Sequence, residues 1–216
     1  MKNTGKILLA LVLSGSLSAV SAVEEVSPFS ANLTVTSDYV WRGKTQTLDQ
    51  PTIQIGADYA DESGFAVGAW ASKVDFGDAS TEVDLYGSFS GEVDEIGYTV
   101  GVIAYRYPGA DSANFEELYF GGSYAGVDLT YYLGLSNAPN YVEVGYSASV
   151  IDDFDLSLSL GKYDDADGTQ NGYKVYGIGT GTNYSGVDLS LDYTVAKNNN
   201  NSKDAKNLVF SITQVF

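Results

Sequence analysis

Carboxylates recur in this chain where neighbouring side chains alternate between apolar and polar. Asp84 stands between Val83 and Leu85, Glu143 between Val142 and Val144, and Asp192 between Leu191 and Tyr193. A spacing of two puts the acids on one face of a strand and the Leu and Val set on the other. The same parity sends Asp58, Glu117 and Tyr119 to the acidic face, and Trp70 to the face opposite Val67 and Ala69. Asp38 and Arg42, read as part of the first strand, are four apart, share that face, and are placed to pair with each other or with neighbouring strands. A ring of carboxylates around a narrow passage concentrates cations and repels anions, and an inward Trp70 would narrow that passage.

Other chemistry is poorly provided for. Histidine and cysteine are both absent, so there is no thiol nucleophile, no thiolate metal site and no imidazole base. Only hydrolysis by paired carboxylates stays open to an enzyme, and the expectation is that the chain is not one. The run Asp164-Asp165-Ala166-Asp167-Gly168 invites a calcium reading but fails on spacing. With Gly168 at the sixth position of an EF-hand loop, Tyr163 and Lys174 fall where the first and twelfth require ligands. A solvated acidic loop, bridged by divalent ions to lipopolysaccharide phosphates, is the better reading, and no metal site or cofactor is expected. The net charge of −17 disfavours nucleic acid.

The elements that must position these residues are strands. Alternation and turn signals place them at 29–42, 50–60, 64–74, 81–91, 96–107, 115–124, 127–135, 141–150, 154–163, 173–184, 187–196 and 207–216. Connections after even-numbered strands are tight, as in Asp61-Glu62-Ser63, Val93-Asp94-Glu95, Tyr124-Ala125-Gly126 and Tyr184-Ser185-Gly186. Those after odd-numbered strands are longer and more polar, at 43–49, 108–114, 164–172 and 197–206. Lys2 and Lys6 precede the apolar run Ile7 to Leu13, and Val20-Ser21-Ala22 supplies small residues for cleavage, so 1–22 reads as a signal peptide and 23–216 as one domain.

No later stretch is apolar for long enough to make a transmembrane helix, so any span is made of strands. An even number of amphipathic strands with alternating short and long connections describes an all-β, antiparallel up-and-down transmembrane barrel of about twelve strands, because an open sheet would leave unpaired edges facing lipid. The expected interior is polar and Gly-rich. Tyr59, Tyr98, Tyr124, Tyr141, Tyr163, Tyr173 and Tyr184 lie near strand ends, where two interfacial girdles are expected. A soluble periplasmic β protein is the structural alternative.

The segment Ser37-Asp38-Tyr39-Val40-Trp41-Arg42-Gly43, followed by PTIQIGADYA and GFAVGAWASKV, resembles the start of the TorF family of proteobacterial porins. EVDLYGSFSGEV, YTVGVIAYRYPG and NFEELYFGGSYAGVDLTYYLG resemble that family's middle segments in order, and VFSITQVF its terminal strand. Phe216, with Ile212, Phe210 and Leu208 at alternate positions before it, also resembles the C-terminal signal by which outer-membrane proteins engage the barrel assembly machinery; Gln214 departs from that pattern. The resemblance implies a bacterial outer-membrane barrel with periplasmic termini, in contact with lipid and lipopolysaccharide, that passes small solutes or ions by diffusion. The acidic face adds a mild cation preference. The alternative is a closed barrel that binds a partner through its outer loops, and an inward salt-bridge network closing the bore would mark it.

Overall fold

The computed structural model describes residues 27–136, 138–151, 154–164, 172–199 and 203–216. The segment read as a signal peptide lies outside them, as do residues 165–171 of the acidic loop and 200–201 of the asparagine run. The chain forms β1 (Phe29–Thr36), a short hairpin of β2 (Val40–Trp41) and β3 (Lys44–Thr45), then β4 (Thr52–Ala60), β5 (Phe65–Phe76), β6 (Ala79–Val93) and β7 (Ile96–Arg106). There follow β8 (Phe115–Tyr124), β9 (Val127–Leu135), β10 (Asn140–Ile151), β11 (Phe154–Asp164), β12 (Tyr173–Tyr184), β13 (Val187–Asn198) and β14 (Ala205–Val215). All but β2 and β3 join a closed antiparallel barrel of twelve strands. Closure runs from Asn32 opposite Val215 to Thr36 opposite Ser211, and Phe216 and Ala31 exchange backbone hydrogen bonds of 2.8 and 3.2 Å beyond it.

Turn chemistry sets the two rims apart. Asp94-Glu95 (φ 50° and 72°), Ala125-Gly126 (51° and 81°) and Ser185-Gly186 (54° and 85°) are two-residue turns with both φ values positive. That is the turn whose twist matches paired strands. They share a rim with the ends of β1 and β14. Longer connections lie at the opposite rim, with two departures from the expected pattern: β9 and β10 are joined through 136–139 alone, and Phe76 pairs with Ala79 around Gly77-Asp78, so the β5–β6 hairpin extends as a tight ribbon.

The outward face is apolar. Val35, Ile53, Leu85, Leu160, Leu208 and Phe210 are all exposed to the surroundings. Moving each such side chain out of water is worth about 1.5–3 kcal/mol, so a belt of them all round the barrel favours lipid and argues against a soluble protein. No helix among the described residues is long and apolar enough to cross a membrane; the strands do so.

Three expectations need correction. The first strand ends at Thr36, not at residue 42, so Asp38 and Arg42 are not strand residues. Apolar alternation through Tyr39 and Trp41 mimics a strand there, but side-chain bonds compete with the ladder: Thr36 donates locally to the Asp38 carbonyl, and Ser37 Oγ accepts the Phe210 amide from the closing strand. The tyrosines also do not form the two girdles. Tyr98, Tyr124 and Tyr184 are exposed on the outside and Tyr59 packs on Phe29, but Tyr141 and Tyr173 are buried within the barrel and Tyr163 packs against them. Nor is the interior only polar and Gly-rich, since Val74, Ile103 and Val175 are buried in it among aromatic rings and Val209 is buried as well.

Candidate functional site

The segment after β1 turns into the barrel. Asp38 accepts hydrogen bonds of 2.7 Å from the hydroxyls of both Thr45 and Thr47, and the Gln46 amide donates to the Tyr39 carbonyl at 2.7 Å, which draws the two arms together. Arg42 and Gly43 form the tip, with φ 47° and 78°. Gly is required at the second of these positions for space as well as conformation. A Cβ there would lie 3.0 Å from the Ala196 methyl and 3.1 Å from a Val175 methyl on the far wall. Asn207 fixes the tip by donating to the Gly43 carbonyl at 2.9 Å, and the Asp75 backbone N–H holds one arm by donating to the Gln46 carbonyl at 2.7 Å.

From this tip Arg42 reaches across the bore to β8. Its Nη1 and Nη2 each donate to one Glu117 carboxylate oxygen at 2.7 Å, and Tyr105 donates to the same carboxylate at 3.1 Å. The two side chains are 6% and 1% exposed, which makes this a buried, bidentate ion pair. Burial by itself disfavours the guanidinium charge, but Glu117 and its hydrogen bonds outweigh that and hold the Arg42 pKa above the ordinary arginine value.

The wall beneath the hairpin is built of tyrosine. Tyr119, Tyr132, Tyr141, Tyr163 and Tyr173 are successive cross-strand neighbours on β8 to β12. Their ring centroids are spaced by 5.9, 6.0, 6.2 and 4.8 Å. Small residues make room for the rings: a methyl at Gly101 would run into the Tyr119 ring, and one at Gly161 into the Tyr141 ring. The Arg42 guanidinium carbon lies 4.6 Å from the Tyr132 centroid, 4.4 Å from Tyr141, 5.9 Å from Tyr163 and 4.3 Å from Trp41. Lys44 Nζ sits 4.0 Å from the Tyr173 centroid. Such contacts use the negative face of the ring, and they strengthen where water is excluded.

On the other side, Tyr39 is buried against Trp70 with centroids 5.2 Å apart and donates to Glu82 at 3.3 Å. Asp84 pairs in register with Trp70 and Tyr105 and is fully buried, and neither of its carboxylate oxygens has a hydrogen-bond partner among the described residues.

The structure thus brings Arg42, Glu117, Asp84, Trp70 and Tyr119 to one place inside the barrel and separates others from it. Asp38 organises the base of the hairpin and does not pair with Arg42. Glu143 accepts from Tyr141 at 2.6 Å, Asp58 from Tyr86, and Asp192 from Ser190 at 3.0 Å, each half-buried against strand neighbours. Phe216 sits exposed at the short-turn rim. Sequence reasoning missed Glu82, Lys44, Asn207 and the tyrosine wall, although parity places Glu82 two before Asp84 and Tyr141 two before Glu143. No cluster of three potential metal ligands occurs among the described residues.

Together these features define an antiparallel β-barrel of the porin fold, with its first long connection folded into the bore. The chain belongs to the Gcw_chp family of bacterial proteins of unknown function, which it matches over residues 22–216. Among solved structures it is similar to the KdgM porin, at 9% identity and a TM-score of 0.64, over 87% of this chain and 99% of that one. The KdgM porin in complex with disordered oligogalacturonate gives the same values. A chain solved in work on in-meso crystallization of membrane proteins is similar at 11% identity and a TM-score of 0.59, over 87% of this chain and 83% of that one. At these identities the likeness is one of fold. No curated protein sequence matches the chain.

Proposed function

We propose that the protein is an outer-membrane, porin-like channel, not an enzyme, through which small solutes or ions diffuse passively with a mild preference for cations. The observation that carries this reading is the closed barrel whose inner wall bears Asp58, Asp84, Glu117, Glu143 and Asp192 behind an apolar exterior. The resemblance to TorF porins supports the same reading. Trp70 and Tyr119 would narrow the bore together with the hairpin. Oligogalacturonate, with which the KdgM porin has been solved, is a polyanion; the acidic lining here suits the opposite charge. The short-turn rim and both termini would face the periplasm, the longer loops the lipopolysaccharide, and Phe216 would present the terminal strand to the assembly machinery.

Single-channel recording of refolded mature protein in a planar bilayer under a salt gradient tests this. Discrete steps with a cation-selective reversal potential are expected, with selectivity reduced in an Asp84→Asn, Asp192→Asn double variant. Silence from folded, heat-modifiable protein overturns the channel.

The buried Arg42–Glu117 pair favours a second reading, in which the hairpin closes the bore permanently and the outer loops at 108–114, 164–172 and 197–206 bind a partner. That barrel would stay silent even after Arg42→Ala frees the tip.

A further inference from the structure

We propose that the tyrosine wall and Glu117 form a receptor for guanidinium-bearing organic cations, and that Arg42 is its built-in competitor. The inference deepens the channel reading by naming a class of solute. The resident group shows what the site selects. A planar cation is gripped edge-on by both Glu117 oxygens while the rings of Trp41, Tyr132 and Tyr141 lie within 4.3–4.6 Å of its carbon. A fork that matches a carboxylate and faces that stack on rings are properties of guanidinium, and an ammonium supplies only the charge.

Arg42 is held there at a cost, since a non-glycine residue at φ 47° is strained and its turn is kept in place by a few polar bonds. The site also offers more than Arg42 uses. Asp84 is buried on the same inner face, within electrostatic reach of Glu82 and Glu117, with both oxygens unpartnered among the described residues. An incoming guanidinium with a second cationic group would engage Glu117 and the rings with one end and Asp84 with the other. Arg42, being tethered, competes at an effective concentration in about the millimolar range, so solutes reach the site when abundant.

Of the chain's two tryptophans, Trp41 lies in the hairpin and Trp70 packs on Tyr39 beside it, so intrinsic fluorescence of the folded protein in detergent micelles reads the site. The test titrates Arg42→Ala with methylguanidinium, with its neutral isostere methylurea, and with agmatine, which carries a guanidinium and an ammonium. Arg42→Asn, whose side chain tolerates positive φ, serves if the alanine variant does not refold. The expected result is saturable binding of methylguanidinium that methylurea does not reproduce and Glu117→Gln abolishes. Agmatine should bind about tenfold more tightly, an advantage lost in Asp84→Asn, and the wild type should need at least about tenfold more of either cation because Arg42 occupies the site.

Equal responses to methylguanidinium and methylurea, or no saturable response in a folded Arg42 variant, overturn the receptor. Equal affinities for agmatine and methylguanidinium overturn the part given to Asp84. Because binding is read without flux, a silent bilayer with intact binding overturns the channel reading and leaves the receptor standing.

Discussion

Replacing Glu117 with Gln should release the hairpin without unfolding the barrel. The pair it breaks is 6% and 1% exposed, which places it with buried ion pairs, where removal of one partner costs about 3–5 kcal/mol, and not with surface pairs worth about 0–1 kcal/mol. The strand ladders contain neither the hairpin nor Arg42, so the loss appears as local opening. The Tyr132 and Tyr141 rings of the wall still attract the guanidinium, which argues for the lower end of the range, and at 1.4 kcal/mol per tenfold that is an opening equilibrium shifted about 100-fold. Trypsin reads it directly, because cleavage after Arg42 needs the tip out of the bore and its rate tracks the open population when reclosing is fast. Mass spectrometry should show that product forming about 100-fold faster in Glu117→Gln than in wild type. Glu116→Gln is the control. Its partner Arg106 is 37% exposed, and cleavage after Arg42 should not change. An unchanged rate in Glu117→Gln, or equal acceleration in both variants, would refute the claim that this pair holds the hairpin.

Other outcomes follow from the packing around the site. Asn207→Ala removes the bond to the Gly43 carbonyl, about 1 kcal/mol, and should raise cleavage after Arg42 by about fivefold; it also removes the bond to Thr194 on the neighbouring strand, so barrel stability to urea should fall by about 1 kcal/mol. Gly101→Ala and Gly161→Ala drive a methyl into the Tyr119 and Tyr141 rings and should lower urea stability by about 1–3 kcal/mol, whereas Gly87→Ala, whose added methyl finds ordinary contacts at 3.5 Å, should be neutral. Tyr141→Leu should weaken the hold on Arg42 by about 1 kcal/mol while Tyr141→Phe, which keeps the ring, should not, both read by the same proteolysis.

The barrel was legible because its signal is a period. Leu156, Leu158 and Leu160 set against Ser157, Ser159 and Gly161 specify both the strand and which face meets lipid. The hairpin was hidden by the same logic. Val35, Tyr39 and Trp41 carry the alternation past Thr36, and the real end of β1 depends on Ser37 bonding to Phe210, a residue 173 positions away. Within the segment, Arg42-Gly43 was the available turn signal. The tyrosine wall is legible in parity: Tyr163 is out of phase with Leu160 and in phase with Gly161, which turns it inward, whereas nearness to a strand end points to the interface. What no period encodes is the meeting of Arg42 with Glu117, since it depends on how far a connection folds into the lumen.

The energetics of that meeting bear on whether the hairpin is a plug or a gate. A permanent plug is best made by apolar side chains of matching volume, because exchanging a buried ion pair for them is often neutral or stabilising by about 1–4 kcal/mol. Here the tip that spans the bore is instead a charged fork on a strained φ, fixed by polar bonds from Glu117 and Asn207. Charged groups lose least on leaving, because water and dissolved ions solvate both partners once they separate. The closed arrangement therefore lies only a few kcal/mol below the open one, within the range that an abundant cation of the right shape supplies by mass action. The arm carrying Tyr39 is different: its ring is buried against Trp70 and Val74 in an apolar cluster. The hairpin should accordingly open by its tip while its base stays anchored. Cleavage after Arg42 should become fast in Glu117→Gln while Tyr39 stays protected from chymotrypsin. Simultaneous loss of protection at both residues would mean that the whole connection leaves the bore as a unit.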